Sequence, residues 1–160
     1  MASSSSSSSS STRQWTYDVF LSFSGVDTRN TAADFMYFAL KQMGIYTFMD
    51  DKKLEKGKTI ESELFKAIKE SRFAVVILSK NYASSTWCLN ELVEIFACEN
   101  MGLTILPIFY NVDPSDVRKQ RGIFAQPFDE YEKQFEEKVG TWRAALYHVA
   151  NIAGYHVDNR

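Results

Sequence analysis

The stretch "SSTWCLNELVEIF", Ser84 to Phe96, carries an aromatic ring and a carboxylate four residues apart. Wound as a helix, it gathers Leu89, Leu92, Val93 and Phe96 on one broad apolar face, with Cys88 and Ile95 along one edge. Trp87 and Glu91 then stand one turn apart at the border of that face, just after a serine cap. By themselves they fit a core-edge tryptophan beside a solvated glutamate at least as well as a functional pair. Other chemistry-bearing residues are weaker candidates. Cys88 and Cys98 are too few for a disulfide scaffold and lack metal-ligand spacing, which favours a reducing intracellular setting and no metal site. His148 and His156 lie far along the chain from Cys88 and Glu91, so a Cys/His nucleophilic dyad is disfavoured and Cys88 reads as helix core. The lysines at 52, 53, 56 and 58 could attract phosphates or simply form a solvated loop.

The elements that must position these residues alternate along the chain. Four apolar runs rich in β-branched and aromatic residues read as strands: Tyr17–Phe23, Ile45–Met49, Phe73–Ser79 and Leu103–Tyr110. Helical patterns separate them at about Asn30–Met43, Ile60–Glu70 and Thr86–Asn100, the second capped by Thr59 with Glu61 and Glu63 in its first turn. After the fourth strand, "NVDPSDVRKQRGIFAQPF" predicts short helical pieces, with Ser115 or Asp116 as a cap and Gly122 as a stop. A helix bearing Trp142, Leu146 and Val149 then leads to a short fifth strand near Ala153–Val157. This alternation predicts an α/β fold with a parallel sheet and right-handed crossovers. Five such strands most often take the doubly wound order 2-1-3-4-5, whose ligand crevice lies outside the carboxyl ends of strands one and three. The rule selects the loops "SGVDTRN" (Ser24 to Asn30) and "KNYASSTW" (Lys80 to Trp87), and puts Trp87 and Glu91 at that crevice.

Composition sets the outer bounds. The 160 residues favour one domain with a real core, and 45% hydrophobic against 24% charged is globular rather than disordered. No apolar run approaches the roughly 20 residues needed to span a bilayer, so no membrane role is expected. A net charge of -2 argues against a dedicated nucleic-acid binder. The nine serines from Ser3 to Ser11 predict a flexible tail over residues 1–14, with neither the apolar region of a signal peptide nor the arginines of a transit peptide.

"YDVFLSFSGVDTR", "GIYTFMDDKKLEKGKTIESELFKAIKESRFAVVILSKNYASSTWCLNEL" and "PIFYNVDPSDVRKQRG" together resemble the TIR domain of plant immune receptors, from about Trp15 to Val157. The resemblance implies a flavodoxin-like three-layer sandwich over residues 15–160. It also implies an activity of many members, cleavage of the nicotinamide–ribose bond of NAD⁺ or NADP⁺ as substrate, with no cofactor. Some members also make cyclic nucleotide products from nucleic acid. On this likeness Glu91, the glutamate of "WCLNEL", is the catalytic residue, and Trp87 is a wall of the pocket packing on the nucleotide. A carboxylate suits the reaction, because breaking an N-glycosidic bond develops positive charge on the ribose.

The same likeness assigns substrate contacts to Arg29, Ser24 and Gly25 in the first loop, and to Lys56 and Gly57 in the family's gating loop after strand two. Where the family usually reads "SFRGEDTR" this chain reads "SFSGVDTR". Ser24 thus replaces an arginine, removing one bidentate phosphate contact, and Val26 replaces an acidic residue. Self-association through the first helix falls on Asp34 and Phe35, where a Ser-His pair is common; Phe35 would pack on a partner or face the core. The sequence stops just after the fifth strand, so the family's terminal helix is expected to be missing. The resulting expectation is an NAD⁺ nucleosidase that signals in plant innate immunity on association with other TIR domains, in the cytoplasm or nucleus. The alternative is a TIR–TIR interaction module of weak or no activity.

Overall fold

The computed structural model describes residues 15–28, 32–49 and 60–158. Its first strand, β1 (Tyr17–Ser22), is followed by a one-turn helix α1 (Gly25–Thr28) and by α2 (Ala32–Gln42). Then come β2 (Thr47–Met49), α3 (Ile60–Lys69), β3 (Ser71–Leu78), a 3₁₀ turn at Tyr82–Ser84 and α4 (Thr86–Glu99). Next are β4 (Thr104–Tyr110), α5 (Pro114–Lys119), a second 3₁₀ turn at Gly122–Phe124, α6 (Ala125–Gln134), α7 (Glu136–Ala150) and β5 (Tyr155–Val157). The five strands form one parallel sheet in the order β2-β1-β3-β4-β5. The α/β class and strand order read from the sequence are therefore those of the structure. The Thr59 cap and any helix beyond β5 lie outside the described residues.

Strand alternation sends residues of β1 and β3 to opposite faces of the sheet. Phe20, Ala74, Val76 and Leu78 face a large core built with α3, α4 and α7, closed by Trp142, Leu146 and Leu92. Val19, Leu21, Val75 and Ile77 face a smaller core covered by Ala33, Met36, Tyr37 and Leu40 of α2. The result is three layers with uneven helical cover. On this alternation Ser22, two residues after Phe20, faces the α4 side although it is polar and fully buried. That placement matters for the site.

Two local readings are corrected. The cap of α5 is Asp113, not Ser115 or Asp116: its carboxylate accepts from the Ser115 amide at 2.9 Å and from Ser115 Oγ at 3.0 Å. Pro114 at the next position is preorganised for a helix and needs no donor partner, so the cap falls one residue before it. Those two hydrogen bonds, the backbone one first, hold the Asp113 carboxyl below its usual range. The same helix ends at Gln120, which takes the left-handed conformation (φ 55°) and donates its amide to Asp116 and Val117; Gly122 opens the following 3₁₀ turn instead. A non-glycine residue tolerates this strain because its side chain is tied down, with Nε2 donating to the Arg143 carbonyl at 2.9 Å and Oε1 accepting from Arg143 Nη1 at 3.0 Å.

Candidate functional site

Helix α4 starts where Ser85 leaves extended backbone and its hydroxyl accepts the Cys88 amide at 3.1 Å. The buried stripe of the helix runs through Cys88, Leu89, Glu91, Leu92, Ile95 and Cys98, whereas Val93 and Phe96 are half-buried. The stripe is thus rotated toward Cys88 from the face expected by periodicity. Trp87 does lie at a border and is 39% exposed, but Glu91 lies inside, at 3%.

A buried carboxylate requires hydrogen-bond partners. Ser22 Oγ donates to Glu91 Oε1 at 2.7 Å, and Ser22 Oγ also lies 2.7 Å from the hydroxyl of Tyr82. A serine has one proton; with it given to the carboxylate, the 2.7 Å contact is a hydrogen bond only when the phenol donates to Ser22. The Cys88 carbonyl, 3.3 Å from the Tyr82 hydroxyl, is a second and more distant acceptor for the same phenol proton. Tyr82 is fully buried, and its pKa is raised well above the ordinary tyrosine value, chiefly by desolvation and then by the proximity of Cys88 and Glu91; the Ser22 hydrogen bond opposes this. Cys88 donates its thiol to the Phe23 carbonyl at 3.4 Å, pinning α4 to the loop after β1. The glutamate of α4 is therefore fastened to the carboxyl end of β1 and to the turn after β3. These are the two neighbouring strands between which the strand order reverses.

A second carboxylate joins the same two loops. Asp27 of α1 accepts Ser79 Oγ at 2.6 Å, the Asn81 amide at 2.6 Å and Asn81 Nδ2 at 2.7 Å. Ser24 is buried at the start of α1, where its carbonyl accepts the Thr28 amide at 3.1 Å and Thr28 Oγ1 at 3.0 Å; Gly25 beside it is half-buried. Next to this clamp, an open cavity of about 470 Å³ separates Lys80, Asn81 and Ser84 from Gln126, Pro127 and Glu130 of α6.

The structure places Ser24 and Gly25 directly after β1, Glu91 on α4 bonded to Ser22 at the end of that strand, and Trp87 on the first turn of α4. Arg29, Lys56 and Gly57 lie outside the described residues, as do the other lysines of that loop. Asp34 is half-buried on α2, and Phe35 is 79% exposed, which removes the alternative that it faces the core. His148 sits near the opposite end of α4, where Nε2 meets Glu99 Oε1 at 2.7 Å and the ring stacks on Phe96. Glu99 is about 16 Å along the helix from Cys88 at 1.5 Å per residue. A Cys88–His148 dyad is thereby excluded. Sequence reasoning missed Ser22, Tyr82 and Asp27. For Ser22 the available signal was a hydroxyl two residues from Phe20, flanked by the apolar Val19, Phe20, Leu21 and Phe23.

Fold and site together define a doubly wound α/β domain with a buried carboxylate hydrogen-bonded to the end of β1, one of the two strands between which the strand order reverses. The TIR domain family profile matches residues 16–160, and the chain belongs to that family. It is 53% identical over 164 residues to the TMV resistance protein N of Nicotiana glutinosa, covering all of this chain and 14% of that protein. It is 52% identical over 161 residues to the disease resistance protein RPV1 of Vitis rotundifolia, covering 99% of this chain and 11% of that one. The chain thus spans only a small part of the length of these curated relatives. Among solved structures, the TIR domains of the activated Roq1 resistosome, which directly recognises the pathogen effector XopQ, superpose with a TM-score of 0.82 at 56% identity, over 89% of this chain and 88% of that chain. The TIR domain of a Toll-related receptor from Hydra magnipapillata shares the fold at a TM-score of 0.52 and 24% identity, over 61% of this chain and 74% of that one. Among the described residues no helix is long and apolar enough to cross a membrane.

Proposed function

We propose that this TIR domain is an NAD⁺ or NADP⁺ nucleosidase that acts when copies are clustered, as part of plant defence signalling in the cytoplasm or nucleus. The observation that supports it most is the Glu91 carboxylate, tied to the carboxyl end of β1 and to the turn after β3. In this reading the C1′–nicotinamide bond of the substrate breaks and its electron pair leaves with the nicotinamide nitrogen. Nicotinamide departs neutral, so no general acid is obligatory. Glu91 stabilises the positive charge that develops on the ribose ring. Water then adds at C1′ and releases a proton, giving ADP-ribose or its 2′-phosphate. Trp87 flanks the nucleotide, and Arg29, Gly25, Lys56 and Gly57 contact it. Ser24 is buried and lacks the arginine charge common at this place, which argues for modest turnover.

The second reading, an interaction module for other TIR domains, is favoured by the exposure of Phe35 and Phe38 one turn apart on α2. The Roq1 structure contains several TIR domains in one activated assembly, which supports association in either reading. The test is nicotinamide release from NAD⁺ by protein concentrated on a multivalent scaffold, beside Glu91→Gln, with light scattering of both. Release lost in the variant at equal assembly supports the nucleosidase. Assembly with no release from either protein supports the module.

A further inference from the structure

The contacts around Glu91 carry a further assignment, which rests on the nucleosidase reading of that residue. We infer that Ser22 is the positioning residue of the Glu91 carboxylate, and that Tyr82 fixes the direction of the Ser22 proton. The three groups come from three separate parts of the chain: the last residue of β1, the turn after β3 and the second turn of α4. They nevertheless form one line of hydrogen bonds, both 2.7 Å long, in a region from which solvent is excluded. A serine hydroxyl can donate to the carboxylate or to the phenol, and the one Tyr82 proton has two acceptors in reach, Ser22 Oγ at 2.7 Å and the Cys88 carbonyl at 3.3 Å. The shorter contact is the one to Ser22, and a carboxylate can only accept from it. Desolvation keeps Tyr82 protonated well beyond the ordinary tyrosine range, so the phenol has a proton to give to Ser22. Ser22 then presents its own proton to Glu91 Oε1.

The role this assigns is specific. A glutamate side chain has three rotatable bonds, and a carboxylate that stabilises an oxocarbenium ion must be placed to within a fraction of an ångström. The backbone of α4 fixes only where the side chain starts. Ser22 ends β1, a strand hydrogen-bonded to β2 on one side and β3 on the other, and so references the carboxyl to the sheet rather than to the helix. The hydrogen bond also favours the ionised form, the one the reaction uses.

Two readouts on the same proteins test this. The first is the carboxyl-carbon NMR titration of Glu91 in glutamate-labelled protein, with the signal assigned by its loss in Glu91→Gln. The second is nicotinamide release by scaffold-clustered protein, giving kcat and KM. Ser22→Ala is expected to move the Glu91 titration to higher pH and the acid limb of the kcat profile with it. It should lower kcat about ten- to hundredfold, the worth of one hydrogen bond to a charged group, with KM changed less than about twofold. Ser22→Thr keeps a hydroxyl and should restore most of kcat. Tyr82→Phe keeps the ring, leaves Ser22 free to rotate its proton, and should shift both readouts in the same direction by less. An unshifted Glu91 titration in Ser22→Ala overturns the assignment, as does a Ser22→Thr variant no better than Ser22→Ala. A shifted titration in a protein whose wild type releases no nicotinamide supports the positioning contact and overturns the nucleosidase instead.

Discussion

Replacing Asp27 by alanine removes the acceptor of three hydrogen bonds at once, those from Ser79 Oγ, the Asn81 amide and Asn81 Nδ2. Hydrogen bonds to a charged group are worth about 1.5–3 kcal/mol each, but three on one carboxylate do not add independently. Asn81 is half-buried and regains water, so much of its share returns. Ser79 is buried, and its hydroxyl is left to find a new partner at a cost of about 1–3 kcal/mol. Together these place the loss at about 2–4 kcal/mol. For a domain of this size each kcal/mol lowers the midpoint by roughly 2–4 °C, so thermal unfolding should occur about 4–16 °C lower. Asp27→Asn, which keeps one acceptor without the charge, should fall between. The assay is urea and thermal denaturation followed by circular dichroism, with Ser79→Ala as the second arm of a double-mutant cycle. A coupling energy near zero, or Asp27→Ala within about 0.5 kcal/mol of wild type, the ordinary scatter of surface substitutions, would refute the clamp.

Two other outcomes follow from single positions. A Cβ at Gly154 would collide with the Pro107 carbonyl oxygen and come within 2.8 Å of Pro107 Cγ, so Gly154→Ala must push β5 away from β4. Amide exchange should then show lost protection at Asn111, whose N–H donates to the Val157 carbonyl at 2.8 Å; unchanged protection there would contradict it. Tyr82 is held protonated in the folded state, so its folded pKa lies above its unfolded one. Its contribution to stability is fully present below about pH 10, the unfolded value, and is lost as pH rises toward and through the folded value. Wild-type stability should therefore fall more steeply than that of Tyr82→Phe above that pH, as measured by urea midpoints across an alkaline series.

The fold was legible because its signals are local. β1, β3 and β4 are runs of β-branched and aromatic residues, and their limits fall within two residues of the observed ones. The strand order needed only the general preference of small parallel sheets. Misread features came from choices that neighbouring residues share. Asp113, Ser115 and Asp116 can all cap a helix, and Pro114 decides among them only when its own favoured place at the first helical position is given weight. Gly122 looked like a stop, yet Gln120 takes the left-handed turn because Arg143, more than twenty residues away, secures its side chain.

The site was legible in part for the opposite reason. Periodicity found Glu91 and Trp87 but put both at the border of the helix, because a carboxylate is assigned to solvent unless a partner is known. One partner is Ser22, 69 positions earlier, and the next group in the line, Tyr82, is 60 positions from Ser22. Neither separation leaves any trace in a helical or strand period. What links them is the reversal of strand order between β1 and β3, which sets the end of one strand beside the turn after the other. By the general rule for doubly wound sheets, the same reversal is where a ligand crevice is expected. In the proposed function the feature that would admit a ligand is thus also the one that supplies the buried glutamate with a hydroxyl. A domain with the same helix but without a donor at the end of β1 would lose that hydrogen bond, leaving Glu91 less firmly placed and less readily ionised for the proposed reaction.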